Sequence, residues 1–308
     1  MTASDVAERA KRLDATTKGI VAISIAMALF IANDALMKLA SERLPSSEVM
    51  VLRGIFASVG LVLASLWSGG SRSIAGMGRP LVLVRSLLEA IVSILFLTAL
   101  AMLPLAEITA ILQLSPLLMA LAAVLLLGER VGLGRWAAII AGFVGVVLII
   151  RPSWEGIAAP QLLALSSILL IVFRDLLTHR IGTAVPALAV TLASTVSVVL
   201  GGLAFAVFQV WYWPTAAELQ LLVGASVLLA LGNFLMVLAF RNGGDLTVIT
   251  PFRYSVILWA LLNGWLIWGD VPDALALVGT AIIVASGFYI VRRDASWRKS
   301  PPIAGVKP

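Results

Sequence analysis

The chain has 308 residues, of which 61% are hydrophobic and only 12% charged, and its mean hydropathy is +1.06. A soluble globular domain carries roughly 45–50% apolar and about 25% charged residues, so this composition excludes one, and it excludes a disordered chain with it. The formal net charge is +6, and cysteine is absent, which rules out disulfides and thiolate metal sites.

Ten apolar runs predict ten transmembrane helices, at 18–37, 46–66, 81–101, 104–127, 134–151, 158–178, 186–209, 217–239, 246–268 and 272–291. Each can cross about 30 Å of hydrocarbon at 1.5 Å rise per residue. The first run is too long for a signal peptide and no small-residue cleavage site follows it. It carries Asn33-Asp34, with Lys38 one turn beyond, and the i,i+4 spacing predicts an Asp34–Lys38 pair. Arg53 lies in the second run.

The third run holds Glu89 about 12 Å from its start, with Arg85 one turn earlier and Ser93 and Phe96 on the same side. A charge at such depth costs at least about 2.5–3.5 kcal/mol, so Glu89 should face protein or water. Two readings stand: a local pair with Arg85, or a cavity-facing acid that takes a cationic group or a proton.

The fourth run sets Thr109, Gln113 and Pro116 on one face. Proline frees a backbone carbonyl and permits a kink, which suits a gate. The fifth and tenth runs bear small residues, Ala141 and Gly145 against Ala281 and Ala285, and predict close helix approach. The sixth ends on Asp175 and the single histidine, His179. The ninth carries Arg253, comparable in depth to Glu89, and a stripe of Phe252, Val256, Trp259 and Asn263. Trp259 sits away from the interfacial belts that suit Trp211, Trp213, Trp265 and Trp268, and either core packing or a cavity wall accounts for it.

Sixteen of the 22 Lys and Arg, Arg174 and Arg180 among them, fall in the two tails and in alternate loops on one side, which places both termini in the cytoplasm by the positive-inside rule. The halves match at an offset of 141 residues: Asp34 with Asp175, Pro45 with Pro186, Thr109 with Thr250, and Gly128-Glu129 with Gly269-Asp270. Five spans per half is odd, so the second copy enters the membrane inverted, an arrangement that supports alternating access around a midplane site. The predicted fold is an all-α polytopic membrane protein, two inverted five-helix repeats (18–152 and 153–292) around a central cavity, with tails 1–17 and 293–308.

No Ser-His-Asp set and no phosphate-binding GxxxxGK[ST] loop occurs, so neither an enzyme nor a built-in ATPase is expected, and no cofactor or metal.

The stretch LPLAEITAILQLSPLLMALAAVLLLGERVGLGRWAAIIAGFVGVVLIIRP, from Leu103 to Pro152, closely resembles the hallmark segment of the drug/metabolite transporter superfamily, EamA type. FRYSVILWALLNGWLIWGDVPDALALVGTAIIVASGFYIVRR, from Phe252 to Arg293, echoes it. The resemblance implies a multi-pass carrier of the bacterial inner membrane whose cavity is lined by both halves. It leaves open amino acids, nucleobases, sugars, vitamins and drug-like molecules. The chain departs from the pattern at Val256-Ile257, which stand where the first copy has Ser115-Pro116, so only one half is expected to carry a proline break.

The expected function is export of an amino acid or related zwitterion, held between Glu89 and Arg253, with Arg85, Ser93, Thr109, Gln113, Phe252, Trp259 and Asn263 around it. Pro116, Asp34 and Asp175 are the expected gating residues. The alternatives are a vitamin or nucleoside-like ring compound, or a non-transporting receptor. The expected partners are the lipid bilayer and the solute, with proton coupling through Glu89, a monomeric state and no nucleic acid.

Overall fold

The computed structural model describes residues 3–67, 75–127, 133–151, 157–181, 185–241 and 249–297. Among these, all regular structure is helical: α1 (Ala3–Ala40), α2 (Ser46–Trp67), α3 (Pro80–Met102), α4 (Leu105–Leu112), α5 (Ser115–Leu127), α6 (Leu133–Ile150), α7 (Ala159–Ile181), α8 (Ala187–Phe205), α9 (Ala216–Arg241), α10 (Ser255–Trp268) and α11 (Ala274–Trp297), with 3-10 turns at Ala206–Phe208 and Thr250–Tyr254. The turn at Gly128-Glu129 and the tail beyond Trp297 lie outside the described residues. The expected N-terminal tail is helical from Ala3, continuous with the first span.

Seven spans are long and apolar enough to cross a membrane by themselves, and Trp136–Ile150 and Ala274–Tyr289 are shorter apolar helices. The protein is a polytopic all-α membrane protein. The fourth span is not one helix. Pro116 lacks the N–H that would bond the Leu112 carbonyl, and its ring crowds the same carbonyl. The backbone answers with tighter bonds, Gln113 N–H to Ala110 O at 3.2 Å and Leu114 N–H to Ile111 O at 3.0 Å, and α5 restarts at Ser115.

The ninth span is interrupted too, contrary to the single break expected. The 3-10 turn Thr250–Tyr254, with Pro251 in its first positions, runs into α10 at Ser255. At the 141-residue offset, Tyr254-Ser255 corresponds to Gln113-Leu114, the break in the fourth span. The register matches although the proline sits elsewhere. Five 3-10 residues and fourteen α residues together cover about 31 Å, so the pass still reaches across the hydrocarbon.

Packing is mainly between halves. α1 lies on α9, α3 on α7 and α8, α2 on α8, α6 on α11, and α4 on both α7 and α10. The α6–α11 seam is close because Gly145 and Gly279 meet backbone to backbone: a Cβ on Gly145 would sit 2.7 Å from the Gly279 carbonyl oxygen. Ile283 shares the contact, whereas Ala281 and Ala285 are exposed, so the seam runs along a neighbouring face of the tenth span from the one expected. α10 ends on Gly269, whose φ of 71° closes the helix in a left-handed cap.

Several helix ends and connections are tied down by polar bonds. Lys38 Nζ donates to the carbonyls of Leu100 and Leu103 at the end of α3, at 2.9 and 2.5 Å, and lies 5.4 Å from the Trp268 ring centroid. Asp34 therefore does not take Lys38 as its partner. α3 runs out at Met102 with orphan carbonyls, and a buried ammonium satisfies two residues of its end. Trp268 Nε1 donates to Glu42, and Trp211 Nε1 to the Ser47 hydroxyl, each at 2.8 Å.

Candidate functional site

α3 and α7 face each other with charges. Arg85 and Glu89, one turn apart on α3, pair at 3.0 Å. Arg174 of α7 reaches the same carboxylate at 3.2 Å and also holds its neighbour Asp175 at 2.7 Å. Arg85 adds a bond to the Thr178 hydroxyl at 3.2 Å and another to the Ser194 hydroxyl of α8. Counting Arg174 among the loop charges is thus corrected. It lies seven residues inside the end of α7, about 10 Å, and crosses to the opposite half.

Arg53 extends the cluster. It lies within electrostatic range of both Glu89 and Asp34, while Asn33 Nδ2 donates to Asp34 at 2.8 Å. Both side chains are half-buried. Three carboxylates (Asp34, Glu89, Asp175) and three guanidiniums (Arg53, Arg85, Arg174) therefore occupy one polar zone between α1, α2, α3 and α7. Desolvating any one of them alone would be prohibitive, and together they neutralise one another.

Glu89 and Arg253, expected to hold the two ends of the solute, make no direct ion pair with each other among the described residues. Arg253 is exposed in the 3-10 turn before α10, and Glu89 takes its cations from Arg85 and Arg174. Phe252 is 41% exposed beside Arg253. Thr109 is buried, whereas Gln113, Pro116 and Ser93 are half-buried. Asn263 bonds back to the Trp259 carbonyl at 2.8 Å, so its amide is spent on its own helix.

Trp259 packs among residues of both the main core and the smaller cluster around the middle of α1. Its indole N–H is buried without a partner, as are Asn33 Oδ1, the Tyr254 hydroxyl and the Ser255 hydroxyl. These four orphans lie on α1 and around the start of α10, helices that pack on each other. Buried polar groups are nearly always satisfied, so orphans at a helix break mark where a solute or water would bond.

A separate cavity of about 350 Å³ opens between the start of α4, the end of α6, the start of α7 and the α10–α11 turn. Glu107, Arg151, Gln161, Asp270 and Asp273 supply its polar wall, and none of the expected site residues does. Gln161 Nε2 donates to Glu107 at 3.1 Å, and Arg151 pairs with Asp273. That bond, with the Ala276 N–H that Asp273 caps at the start of α11, holds the Asp273 carboxyl below the usual carboxylate range. Sequence reasoning missed this cavity because its residues come from four separated loops and helix ends. Only the charge of Arg151 and Asp270 at span termini hinted at it.

Three kinds of likeness to known proteins bear on the site. Residues 17–151 match the EamA-like transporter family. The chain is 33% identical over 222 residues to a riboflavin transporter of Rhizobium johnstonii, covering 71% of this chain and 72% of that one. It is 26% identical to a pseudopaline exporter of Pseudomonas aeruginosa (91% of this chain, 98% of the relative) and 27% identical to an S-adenosylmethionine uptake transporter of Rickettsia bellii (84% and 88%). A solved crystal structure superposes at a TM-score of 0.61 and 19% identity over 94% of this chain and 100% of its own, a likeness of fold.

Proposed function

The chain belongs to the EamA-like transporter family, whose relatives are small-molecule transporters rather than enzymes, and from that premise we infer that it carries a small zwitterionic metabolite by alternating access. The observation that carries this reading is the six-charge zone between α1, α2, α3 and α7. Its guanidiniums suit a carboxylate of the solute, and its carboxylates suit an ammonium. In the empty protein the charges satisfy one another, and a zwitterion of matched shape replaces those contacts without leaving any charge bare.

Two inverted five-helix repeats, 18–152 and 153–292, fit the packing. Exchanging each span with the one five along turns the α1–α9 contact into α7–α3 and maps α6–α11, α2–α8 and the α4–α10 contact onto themselves. The two broken spans meet in that last contact, and they are the natural moving parts. Both termini face the cytoplasm on the charge count, and the setting is the bacterial inner membrane. Relatives carry both uptake and exporter names.

A second reading, a ring compound such as a vitamin, draws on the orphan Trp259 N–H and its half-buried ring, and on the riboflavin and S-adenosylmethionine names of the relatives. Counterflow into proteoliposomes with a labelled panel of amino acids, riboflavin and nucleosides separates the two. The zwitterion reading expects exchange of an amino-acid-like solute that falls at least about tenfold, or about 1.4 kcal/mol, in Glu89→Gln and Arg174→Gln. Arg253→Gln should have the smaller effect. Exchange confined to ring compounds and lost in Trp259→Ala would favour the second reading, and no exchange of any solute would count against both.

A further inference from the structure

On the flank of the α3–α7 pair an apolar groove of about 500 Å³ runs along α7. Its wall on α7 is Leu170, Phe173 and Leu177, spaced by three and four residues so that they form one stripe, and Leu88 of α3 closes the other side. The stripe ends in the last turn of α7 on His179 and Arg180, which also line the groove and are exposed. Neither makes an ion pair among the described residues.

We propose that this groove is a binding site for one anionic phospholipid, its acyl chain along the Leu170–Leu177 stripe and its phosphate on Arg180 and His179. The dimensions fit. From Leu170 to Arg180 the helix rises about 15 Å, half of the roughly 30 Å hydrocarbon thickness and hence one leaflet's acyl depth. The charge also fits, since a guanidinium at the mouth of an apolar slot binds phosphate with two parallel bonds, and basic pockets between membrane helices are known hosts for anionic headgroups. A zwitterionic lipid fills the same slot, but its phosphate comes with a neighbouring ammonium that Arg180 repels.

The groove borders the ion network. Leu88 adjoins Glu89, and Leu170 and Leu177 lie one turn to either side of Arg174, so a lipid seated here packs beside the Arg174–Glu89 contact. Its occupancy braces α3 against α7.

Thermal melting of the full-length protein in detergent, with added phosphatidylglycerol or phosphatidylcholine of identical chains, tests the site, because a ligand of the folded state raises the melting temperature by mass action. Phosphatidylglycerol should raise it more than phosphatidylcholine. The excess should vanish in the Arg180→Gln/His179→Gln protein and shrink in Leu177→Trp, which fills the slot and leaves the charges. Equal responses of the wild-type protein to the two lipids would overturn the proposal. So would an excess that survives in the double variant, or an equal shift from glycerol 3-phosphate alone, which would mark a soluble-anion site.

Discussion

Glu89 has two cations and Arg174 has two anions, and this sharing decides what single substitutions do. Glu89→Gln leaves Arg85 and Arg174 facing each other across a half-buried gap. Breaking a buried pair costs about 3–5 kcal/mol, and with roughly a fifth of the side chain exposed we expect about 1–3. Arg85→Gln added to Glu89→Gln should recover part of that loss, a positive coupling that a double-mutant cycle of melting temperatures reads directly.

Lys38 offers the opposite case. Its ammonium is the donor for two carbonyls at the end of α3, so Lys38→Met should cost about 1.5–3 kcal/mol through unsatisfied carbonyls, although Met fills the same space. A melting temperature equal to wild type would contradict that assignment. At Asp273 the carboxyl is depressed, so the Arg151–Asp273 contact is fully present above the ordinary carboxylate pKa and is lost as pH falls through the lower folded value. The melting difference between wild type and Asp273→Asn should therefore stay constant from neutral pH down to about 4 and shrink below it.

Among the elements, the two broken spans were half legible. Pro116 announces its own break, because a missing N–H and a crowded carbonyl follow from the residue alone. The matching break before Ser255 has no proline at the equivalent place, and the run 246–268 reads as an unbroken apolar helix. Its interruption follows from Pro251 and from packing of Tyr254 against Gly287, where a Cβ would meet the phenol. Arg85 and Glu89 were legible because they share one helix, while Arg174 was not, because its partner is 85 residues away in sequence.

Pro116→Ala should restore the Leu112–residue 116 bond and straighten the span. We expect a melting temperature equal to or above wild type together with slower solute exchange and a binding affinity within about twofold. Equal losses of affinity and rate would show that the kink shapes the site rather than its motion.

At the scale of the whole molecule, ten spans, the 141-residue offset and the family resemblance were all readable from residues, since hydropathy and helix length fix which segments enter the membrane. Which faces meet was not readable, because apolar helices carry little periodic contrast and their partners are set by small residues and by polar bonds between distant spans. The α3–α7 contact is ionic, and at the 141-residue offset its Arg85 and Glu89 correspond to Ser226 and Ala230 of α9, neither of which is ionisable.

The central claim is that the charged zone around Glu89 faces a solvent pathway that solute occupies during transport. The chain has no cysteine, so Glu89→Cys places one reactive thiol there. In sealed proteoliposomes, membrane-impermeant maleimide should alkylate that thiol, and a transported solute should slow the labelling severalfold. A thiol at position 89 that stays unlabelled in both membrane orientations, or labels at the same rate with and without solute, would contradict the account.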